Sequence, residues 1–415
     1  MSTESVFVYG RGDKLRQILE AFVGAADSIR FLILPDWKGE SPCPGIPAVS
    51  LEAVSSERLR EGRIVILGQR DERQIRRELQ QRFSLDDGCF LSQREWIAQL
   101  LADDRILFRP VHARVDICTC CQLDCLKCPM RRDPRCSIGS GSLSVAQFER
   151  FLDDNPFIQH IEISNNGEPF LHPHLHELLT DAHARHVALS CYNGTNFNYV
   201  TDQVLEDLVA FQFGLINVAL DGASQETHQI YRRNGDFSRV LENVRKLNAI
   251  KRRCRSELPR LSWQFVMMGH NYHEMEQAKE MARELDMTIQ FRESWSRADR
   301  EAVAALRQKQ ASAPSAPASR ITDEDYNTFL AYCSDLFFSP QINWDGRLLG
   351  CCQIYRSDWG MNVFEEGYLA CLNSEPYRGT LRRILLSDCA EGSMPCATCR
   401  RFPKSAAEKD AVLCS

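Results

Sequence analysis

Strand and helix patterns alternate along most of this chain, and this alternation restricts its fold more than any other feature. Between residues 111 and about 300, five mostly apolar runs each end in a polar turn: IQHIEISNNGEPF, HVALSCYNGT, GLINVALDGA, RLSWQFVMM and MTIQFR. Segments with helical spacing separate them, such as SVAQFERFLDD and FSRVLENVRKLNAIKRR. This pattern predicts an α/β fold with a parallel sheet, open or closed into a partial barrel. Ligands of such sheets collect at the carboxyl ends of the strands.

The alternation is also present in the first part of the chain. SVFVY, IRFLILP and RIVILG read as strands, and GRGDKLRQILEAF and DERQIRRELQQRF read as helices. We therefore predict a Rossmann-like N-terminal domain over residues 1–110. The turn GRGDKL lacks the third glycine of a dinucleotide-binding turn, so a docking or substrate-positioning role is favoured over nucleotide binding.

Composition divides the rest of the chain. We predict a barrel domain over residues 111–307, followed by a linker over 308–319 that is rich in Ala, Ser and Pro. A module over 320–415 contains eight of the 18 cysteines.

Charge and hydropathy exclude several classes of function. The formal net charge is -6 without long single-sign blocks, which argues against nucleic acid as an obligatory partner. We find neither a signal-peptide pattern nor a long apolar segment, so we expect a cytoplasmic protein that needs no membrane. In a reducing compartment, clustered cysteines indicate metal binding or catalysis rather than disulfides.

Five cysteines lie between positions 118 and 128, and three of them form C-x3-C-x2-C: Cys121, Cys125 and Cys128. Three thiolates on one short loop suit a 4Fe-4S cluster, because three protein ligands leave one of the four irons open for a small molecule. A structural zinc site would need a fourth ligand. The spacing alone leaves that alternative open, with three candidates for the fourth position: Cys118, Cys120 and Cys136.

The segment CQLDCLKCP, followed by NNGEP, YNGT and VALDGASQETHQIYRRNGDFSRVLENVRKL, resembles the radical S-adenosylmethionine (SAM) superfamily. The resemblance covers residues 111 to about 300 and implies a partial (β/α)6 barrel with the cluster at its mouth. It implies that SAM chelates the open iron and yields a 5'-deoxyadenosyl radical, which abstracts hydrogen from a substrate. It also implies an external one-electron reductant, such as flavodoxin or ferredoxin.

The resemblance also assigns SAM contacts. NNGEP stands where the family has G-G-E-P, which binds the methionine amino group, and Asn166 replaces the first glycine. The matching residues are Gly167, Glu168 and Pro169. A glutamate there would accept charge-assisted hydrogen bonds from the ammonium.

Three further residues are SAM-binding candidates. Ala219 stands where the family often has a serine that serves the methionine carboxylate, so we assign that contact to Arg232 instead. Asn193 and Gln264 lie at strand ends where the family contacts ribose or carboxylate, although each could also be an ordinary hydrogen-bonded polar residue.

The C-terminal cysteines resemble the twitch and SPASM extensions of the same superfamily. Asp345-Gly346 in INWDGRLLGCC predicts a hairpin that delivers Cys351 and Cys352 at the end of its second strand. The resemblance implies a second, auxiliary 4Fe-4S cluster held by Cys333, Cys351, Cys396 and Cys399. Cys352 is the alternative to Cys351, and a zinc site or two auxiliary clusters remain alternatives for the module.

The twitch-type enzymes that the chain resembles favour a carbohydrate-like small-molecule substrate, undergoing epimerisation or alcohol oxidation. Epimerisation needs a thiol that returns a hydrogen atom, and the candidates are Cys191, Cys352 and Cys254. Proton-transfer candidates follow the fourth and fifth barrel strands: His228, Asp221 and His270. A peptide maturase of the same superfamily and a non-catalytic zinc-binding protein are the alternatives.

Overall fold

A computed structural model describes residues 6–10, 12–34, 41–67, 72–294, 296–310, 330–386 and 395–399. The chain forms two compact units. The first consists of Met1–Val111, Ser319–Pro340 and Glu366–Ser415, and the second of His112–Ala318 and Gln341–Glu365. The predicted C-terminal module is thus shared between the two units, and its boundaries stay a prediction.

The first unit is built on a five-stranded parallel sheet with the strand order β4-β3-β1-β5-β6. The strands of the whole unit are β1 (Val6–Gly10), β2 (Phe22–Val23), β3 (Ile29–Leu34), β4 (Ala48–Ser50), β5 (Arg63–Leu67), β6 (Phe90–Leu91) and β7 (Leu107–Phe108). The short strands β2 and β7 form a separate antiparallel pair. Every residue of β1 is buried, as expected for the centre of a parallel sheet covered on both faces.

Helices from both ends of the sequence complete this unit. The earlier ones are α1 (Gly12–Ala21), α2 (Ser56–Arg60), α3 (Glu72–Phe83) and α4 (Gln93–Ala102). The later ones are Leu330–Phe338, Tyr368–Asn373 and Glu375–Leu386. Short 3-10 helices are Ala25–Ser28, Leu51–Ala53, Asp87–Cys89 and Pro395–Thr398. The buried guanidinium of Arg378 donates to the backbone oxygens of Leu100, Leu101 and Asp103 at the end of α4, and to that of Ile106.

The second unit contains a seven-stranded parallel sheet with the order β13-β12-β11-β10-β9-β8-β14. Its strands are β8 (His112–Val115), β9 (His160–Glu162), β10 (Ala188–Thr195), β11 (Leu215–Ala219), β12 (Arg260–Met267), β13 (Thr288–Glu293) and β14 (Gln341–Ile342). Six consecutive strands in sequence order confirm the predicted α/β barrel-type fold. The predicted hairpin has its first strand at β14, but the sequence patterns did not predict that β14 extends the sheet beside β8.

The helices of this unit follow the strands as predicted. They are α5 (Pro129–Arg132), α6 (Val145–Asp154), α7 (Leu175–Ala184), α8 (Asp202–Ala210), α9 (Gln225–Tyr231), α10 (Phe237–Cys254), α11 (Met275–Glu284) and α12 (Arg297–Gln310), with a further short helix at Val363–Glu366. Two 3-10 helices are Pro169–Leu171 and Tyr272–Glu274. Trp263 and Phe265 are fully buried on alternate positions of β12, and Trp263 contacts Phe237 at the start of α10. This apolar face packs the sheet against its helices and leaves the strand ends to form the site.

Two local expectations differ from the structure. The segment 308–310 belongs to α12 rather than to a linker, and residues 311–319 lie outside the described residues. The turn at Gly346 forms as predicted, with a φ of 88°. An isolated bridge between Ile342 and Leu348, however, replaces the second strand of the hairpin.

None of the helices in the described part of the chain has the length and apolar character that membrane spanning requires.

Candidate functional site

The loop that carries C-x3-C-x2-C leaves the carboxyl end of β8 and is held in place by its own backbone. The backbone N–H of Asp124 donates to Arg233 O (3.1 Å), and that of Leu126 donates to Tyr231 O (3.0 Å). The loop ends where Cys128 caps the N-terminus of the short helix α5. These bonds fix the cysteine loop against the end of α9.

The thiols of this loop lie close enough together to affect the pKa values of Cys121 and Cys125. Burial raises the pKa of the Cys121 thiol to about 12, with smaller contributions from Glu168, Cys125 and Cys128. Burial also raises the pKa of Cys125, and Cys128 adds to this effect. These raised pKa values favour the protonated thiols. A positively charged metal centre would instead favour the thiolates, because thiolates and not thiols bind metals.

Two hydrogen-bond donors approach these sulfur atoms. Asn196 Nδ2 lies 3.7 Å from Cys121 Sγ, and Arg232 Nη1 lies 4.0 Å from Cys125 Sγ. Hydrogen bonds to sulfur are among the factors that tune the potential of iron–sulfur centres. The surroundings of the loop therefore suit thiolate ligands.

The NNGEP segment packs directly against the entry to the cysteine loop. Gly167 has a φ of 81°, and a Cβ there would lie 2.4 Å from Cys118 O and from Thr119 Cα. The backbone N–H of Glu168 donates to Cys120 O at 2.9 Å. Only glycine fits at position 167, because any side chain would collide with this backbone.

Asn166, the departure from the family pattern, binds a buried carboxylate. Its backbone N–H and its Nδ2 donate to the two oxygens of Asp116, at 2.9 and 2.8 Å. Asp116 is completely buried, and burial raises its pKa to about 7 although both Asn166 bonds act in the opposite direction. Our sequence reasoning missed Asp116; its signal was an acidic residue directly after an apolar strand.

Glu168 lies at the carboxyl edge of the sheet with a buried carboxylate. Thr195 Oγ1 donates to one carboxylate oxygen, and the backbone N–H of Asn196 donates to the other at 2.7 Å. Burial raises its pKa to about 7, and these two hydrogen bonds oppose the shift. Because desolvation destabilises the anion, an ammonium group placed beside it would be bound strongly. Thr195 and Asn196 were also missed, although they follow directly in YNGTN.

Arg232 is held by Asp221 rather than turned toward solvent. Its Nε donates to Asp221 Oδ2 at 2.7 Å, while Asp221 Oδ1 accepts from the backbone N–H of Val266 at 2.8 Å. Burial opposes the guanidinium charge, but Asp221 and Cys125 hold the pKa of Arg232 above its ordinary value. The structure thus brings Arg232 to the cysteine loop, at the edge where the family resemblance expects SAM.

Asn193 and Gln264 lie side by side on neighbouring parts of the same edge. Asn193 Nδ2 donates to Asn165 Oδ1 at 2.8 Å, and Gln264 Nε2 contacts Asn193 O at 3.4 Å. Within the described residues, the buried Gln264 Oε1 has no hydrogen-bond partner. It is therefore available to a donor on a ligand.

The three candidate hydrogen donors lie in different places. Cys191, on β10, is completely buried, and burial together with Glu162 and Glu168 keeps the pKa of its thiol well above the ordinary value. The backbone oxygen of Cys352 accepts from Asn165 Nδ2 at 3.3 Å, which places Cys352 near the end of β9.

Cys254 is exposed at the end of α10, before β12, in a groove of 410 Å³. A helix-to-strand connection in a parallel sheet lies at the amino ends of the strands. The structure therefore does not bring Cys254 together with the other candidates.

The two candidate histidines are poor proton carriers in their present surroundings. His228 is buried, and neither ring nitrogen has a hydrogen-bond partner among the described residues. Burial lowers its pKa to about 4, and Arg232 contributes in the same direction. Burial also lowers the pKa of His270. Both side chains are neutral near pH 7 and act at most as bases.

The remaining cysteines near the first loop have other contacts. Cys118 accepts a hydrogen bond from Ser142 Oγ at 3.6 Å, and Cys120 Sγ lies 3.3 Å from Ser140 Oγ. Cys136 lies close enough to Cys128 to contribute to the raised pKa of Cys136, after the larger effect of burial.

Three C-terminal cysteines come together in the first unit. Burial, together with smaller contributions from the neighbouring thiols of Cys333 and Cys399, raises the pKa of Cys396 to about 12. The backbone N–H of Cys399 donates to Cys396 O at 3.0 Å. Cys351, the fourth predicted ligand, is buried and belongs to the second unit.

Comparison with known proteins gives the same family as the motifs. Residues 115–285 match the family model of the Radical SAM superfamily. An AdoMet-dependent heme synthase of Methanosarcina barkeri is 29% identical over 170 residues, which are 40% of this chain and 45% of that protein. The mycofactocin maturase MftC of Mycobacterium tuberculosis is 28% identical over 150 residues, 35% of this chain and 36% of that protein. The chain spans less than half the length of these relatives.

The fold is similar over a larger part of the chain. The crystal structure of SuiB from Streptococcus suis has a TM-score of 0.53 at 14% identity, over 80% of this chain and 86% of that chain. SuiB has also been solved bound to the precursor peptide SuiA, with a TM-score of 0.53 over 78% of this chain. At this identity, the likeness is one of fold alone.

The site fits the groups that the superfamily implies, a 4Fe-4S cluster and SAM. Three clustered thiols are a suitable donor set for a cluster with one open iron. The buried Glu168 carboxylate suits the ammonium of SAM, and Gln264 Oε1, which has no hydrogen-bond partner among the described residues, suits a donor on SAM. Residues 115–285 of this chain are therefore similar to the Radical SAM superfamily, and the site that they form has side chains that suit such a protein.

Proposed function

We propose that this protein abstracts a hydrogen atom from a carbohydrate-like substrate and thereby epimerises it or oxidises an alcohol to a ketone. The observation that carries the proposal is the cysteine loop beside Glu168 at the carboxyl edge of the sheet, joined by the bond from Glu168 N to Cys120 O. When bound, the cluster and SAM supply a 5'-deoxyadenosyl radical by one-electron cleavage of the sulfonium.

Different residues of the chain bind the cluster and SAM. Cys121, Cys125 and Cys128 hold the cluster. Arg232 Nη1 lies 4.0 Å from Cys125 Sγ and offsets part of the negative charge of the cluster. Glu168 accepts hydrogen bonds from the methionine ammonium, and Pro169 begins the short helix that follows it. Asn193 and Gln264 orient the ribose or carboxylate through their amide groups.

A polar, hydroxyl-bearing substrate is supported by the composition of the strand ends. The amide of Asn165, which follows β9, meets those of Asn193 in β10 and Gln264 in β12, and amides pair readily with hydroxyl groups. For epimerisation, Cys191 and Cys352 are the hydrogen donors that we propose. A thiol has a weaker bond to hydrogen than an alcohol carbon has, so return of hydrogen from sulfur is favourable.

For oxidation, the substrate radical must lose an electron to an acceptor and its hydroxyl proton to a base. We propose an auxiliary 4Fe-4S cluster of twitch or SPASM type as that acceptor, with Cys333, Cys351, Cys396 and Cys399 as its ligands. The raised pKa of Cys396, to which the neighbouring thiols of Cys333 and Cys399 contribute after burial, supports this assignment.

Peptide modification is the second candidate. It is supported by the names of two similar proteins, the mycofactocin maturase MftC and SuiB, which was solved with its precursor peptide. The match to MftC covers 35% of this chain, and SuiB is only 14% identical in sequence. Neither likeness assigns a peptide substrate to this chain. The two functions differ in the molecule from which the radical abstracts a hydrogen atom, a carbohydrate-like molecule or a peptide.

Incubation with SAM, a chemical reductant and candidate substrates in deuterated water tests the proposal. Epimerisation through an exchangeable thiol places one deuteron on a sugar carbon, whereas oxidation produces a carbonyl without deuterium. Modification of a peptide, with no change in any carbohydrate or aminocyclitol tested, would contradict the carbohydrate assignment and favour the second candidate.

A further inference from the structure

The seven-stranded sheet has an inner face, turned away from its helices, that is lined by polar side chains. On the opposite, outer face, Trp263 contacts Phe237 of α10, and Lys279 of α11 lies over the ring of Phe291. Successive side chains of a strand point to opposite faces, so the residues that alternate with Trp263 and Phe291 point inward. With their register partner on β11, these residues line the inner face: Asn217, Ser262, Gln264, Gln290 and Arg292.

Two of these side chains bury polar atoms that have no partner. Asn217 is 1% exposed and Ser262 is 0% exposed. Among the described residues, Asn217 Oδ1 and Ser262 Oγ make no hydrogen bond. The two residues are register partners, and Ser262 lies two positions before Gln264, which is assigned to SAM. Since buried polar atoms are normally hydrogen-bonded, this pair indicates a place for a polar ligand beside SAM.

The last strand of the sheet adds a cation to the inner face. Arg292 lies in the last turn of residues of β13 and is exposed, and its Nη2 donates to Gln290 Oε1 at 3.1 Å. No carboxylate in the described part of the chain pairs with its guanidinium, and burial by the surrounding protein lowers its pKa. A partly desolvated guanidinium without a counter-charge is stabilised by any anion that reaches it.

Arg292 lies at the same edge of the sheet as the cysteine loop. Its register partner on β12 is Val266, whose backbone N–H donates to Asp221 at 2.8 Å. Asp221 in turn accepts from Arg232, whose Nη1 lies 4.0 Å from Cys125 Sγ. A ligand held by Arg292 is therefore one strand away from the residues assigned to the cluster and SAM.

We propose that Arg292 binds an oxyanion group of the substrate, a phosphate or a carboxylate, while Asn217 and Ser262 bind its hydroxyl groups. The inference rests on the proposed function and narrows its substrate to an anionic, hydroxyl-bearing small molecule, such as a sugar phosphate or a sugar acid. The planar guanidinium can donate two parallel hydrogen bonds to either group. No bond is made or broken there, so Arg292 positions the substrate.

The spacing and the charge of the inner face agree with such a substrate. From Ser262 to Val266, the register partner of Arg292, four residues of a strand span about 13 Å. An arginine side chain and a sugar phosphate together cover a distance of this order. A neutral sugar would leave Arg292 without an anion, and an amino sugar would place a second cation beside it.

Three variants separate anion binding from a general effect of charge. Arg292→Gln removes the charge but keeps a hydrogen-bond donor. Arg292→Lys keeps the charge but loses the planar fork. Arg283→Gln is the matched control, because it removes the same charge from an exposed side chain of α11, on the outer face of the sheet.

The measurement is the Kd for glucose, glucose 1-phosphate and glucuronate, by calorimetry on the protein reconstituted with its cluster. SAM is present and reductant is absent, so that no reaction occurs. We expect the parent to bind one of the two anionic sugars about tenfold more tightly than glucose, and the preferred sugar identifies phosphate or carboxylate as the group. Arg292→Gln should raise the Kd for that sugar about tenfold and Arg292→Lys about threefold, whereas Arg283→Gln should change it less than about twofold.

Equal affinities of the parent for all three sugars would overturn the proposal, as would equal effects of Arg292→Gln and Arg283→Gln. A raised Kd for SAM in Arg292→Gln, with the preference among the sugars unchanged, would assign Arg292 to the SAM carboxylate and also overturn it. Failure of the proposed function is a separate result, because it appears as a parent protein that prefers an anionic sugar through Arg292 but forms no epimer or ketone from any carbohydrate.

Discussion

Replacement of Gly167 by alanine should damage both the stability of the second unit and its capacity for iron. At a φ of 81°, an L-residue costs about 1–2 kcal/mol relative to glycine. The new Cβ would also lie 2.4 Å from Cys118 O and Thr119 Cα, which are backbone atoms that can yield only if the segment moves. Overpacking of this kind costs about a further 1–3 kcal/mol, so we expect a loss of about 2–5 kcal/mol.

Gly360→Ala is the matched control for this prediction. Gly360 lies in the same unit with a φ of 66°, and a Cβ there would meet no atom within 4 Å. It should therefore lose only the conformational part, about 1–2 kcal/mol, and keep its iron. Urea unfolding gives the stabilities, and iron per chain after anaerobic reconstitution reports the cysteine loop. Equal stability losses and equal iron contents in the two variants would refute the reasoning.

Three further outcomes follow from particular contacts. Arg378→Met should lower the free energy of unfolding of the first unit by about 2–3 kcal/mol in urea titrations, because it removes four hydrogen bonds to backbone oxygens and leaves α4 without its C-terminal partner. The raised pKa of Asp116, from 3.8 to about 7, means that the folded state retains a proton that the unfolded state has released, so stability should fall as pH rises through this window. Asp116→Asn should flatten that decline, although Glu168 titrates in the same range, and an unchanged slope would show that Asp116 is ionised throughout. Alanine at Cys121, Cys125 and Cys128 together should leave about four irons per chain if an auxiliary cluster is present, and none if it is not.

Much of the second unit could be predicted from the sequence because its strands are short apolar runs that end in polar turns. β10, β11 and β12 lie within the runs HVALSCYNGT, GLINVALDGA and RLSWQFVMM. In a parallel sheet, these turns necessarily meet at one edge, so Glu168, Asn193 and Gln264 could be expected near one another.

The remaining features depend on contacts distant in sequence. β14 has two residues and joins the sheet by pairing with β8, more than 200 residues earlier. Asp116 accepts its hydrogen bonds from Asn166, which lies 50 residues later in the sequence. The C-terminal helices join the first unit through side chains such as Arg378, and no periodicity in the sequence reports such a contact.

Production of 5'-deoxyadenosine tests the central claim most directly. Protein reconstituted with iron and sulfide under anaerobic conditions, then mixed with SAM and dithionite, should release 5'-deoxyadenosine and methionine. The variant with alanine at Cys121, Cys125 and Cys128 should release neither, while keeping the fold of both units by circular dichroism. A parent protein that releases no 5'-deoxyadenosine, or a triple variant that releases it as fast as the parent, would contradict the account.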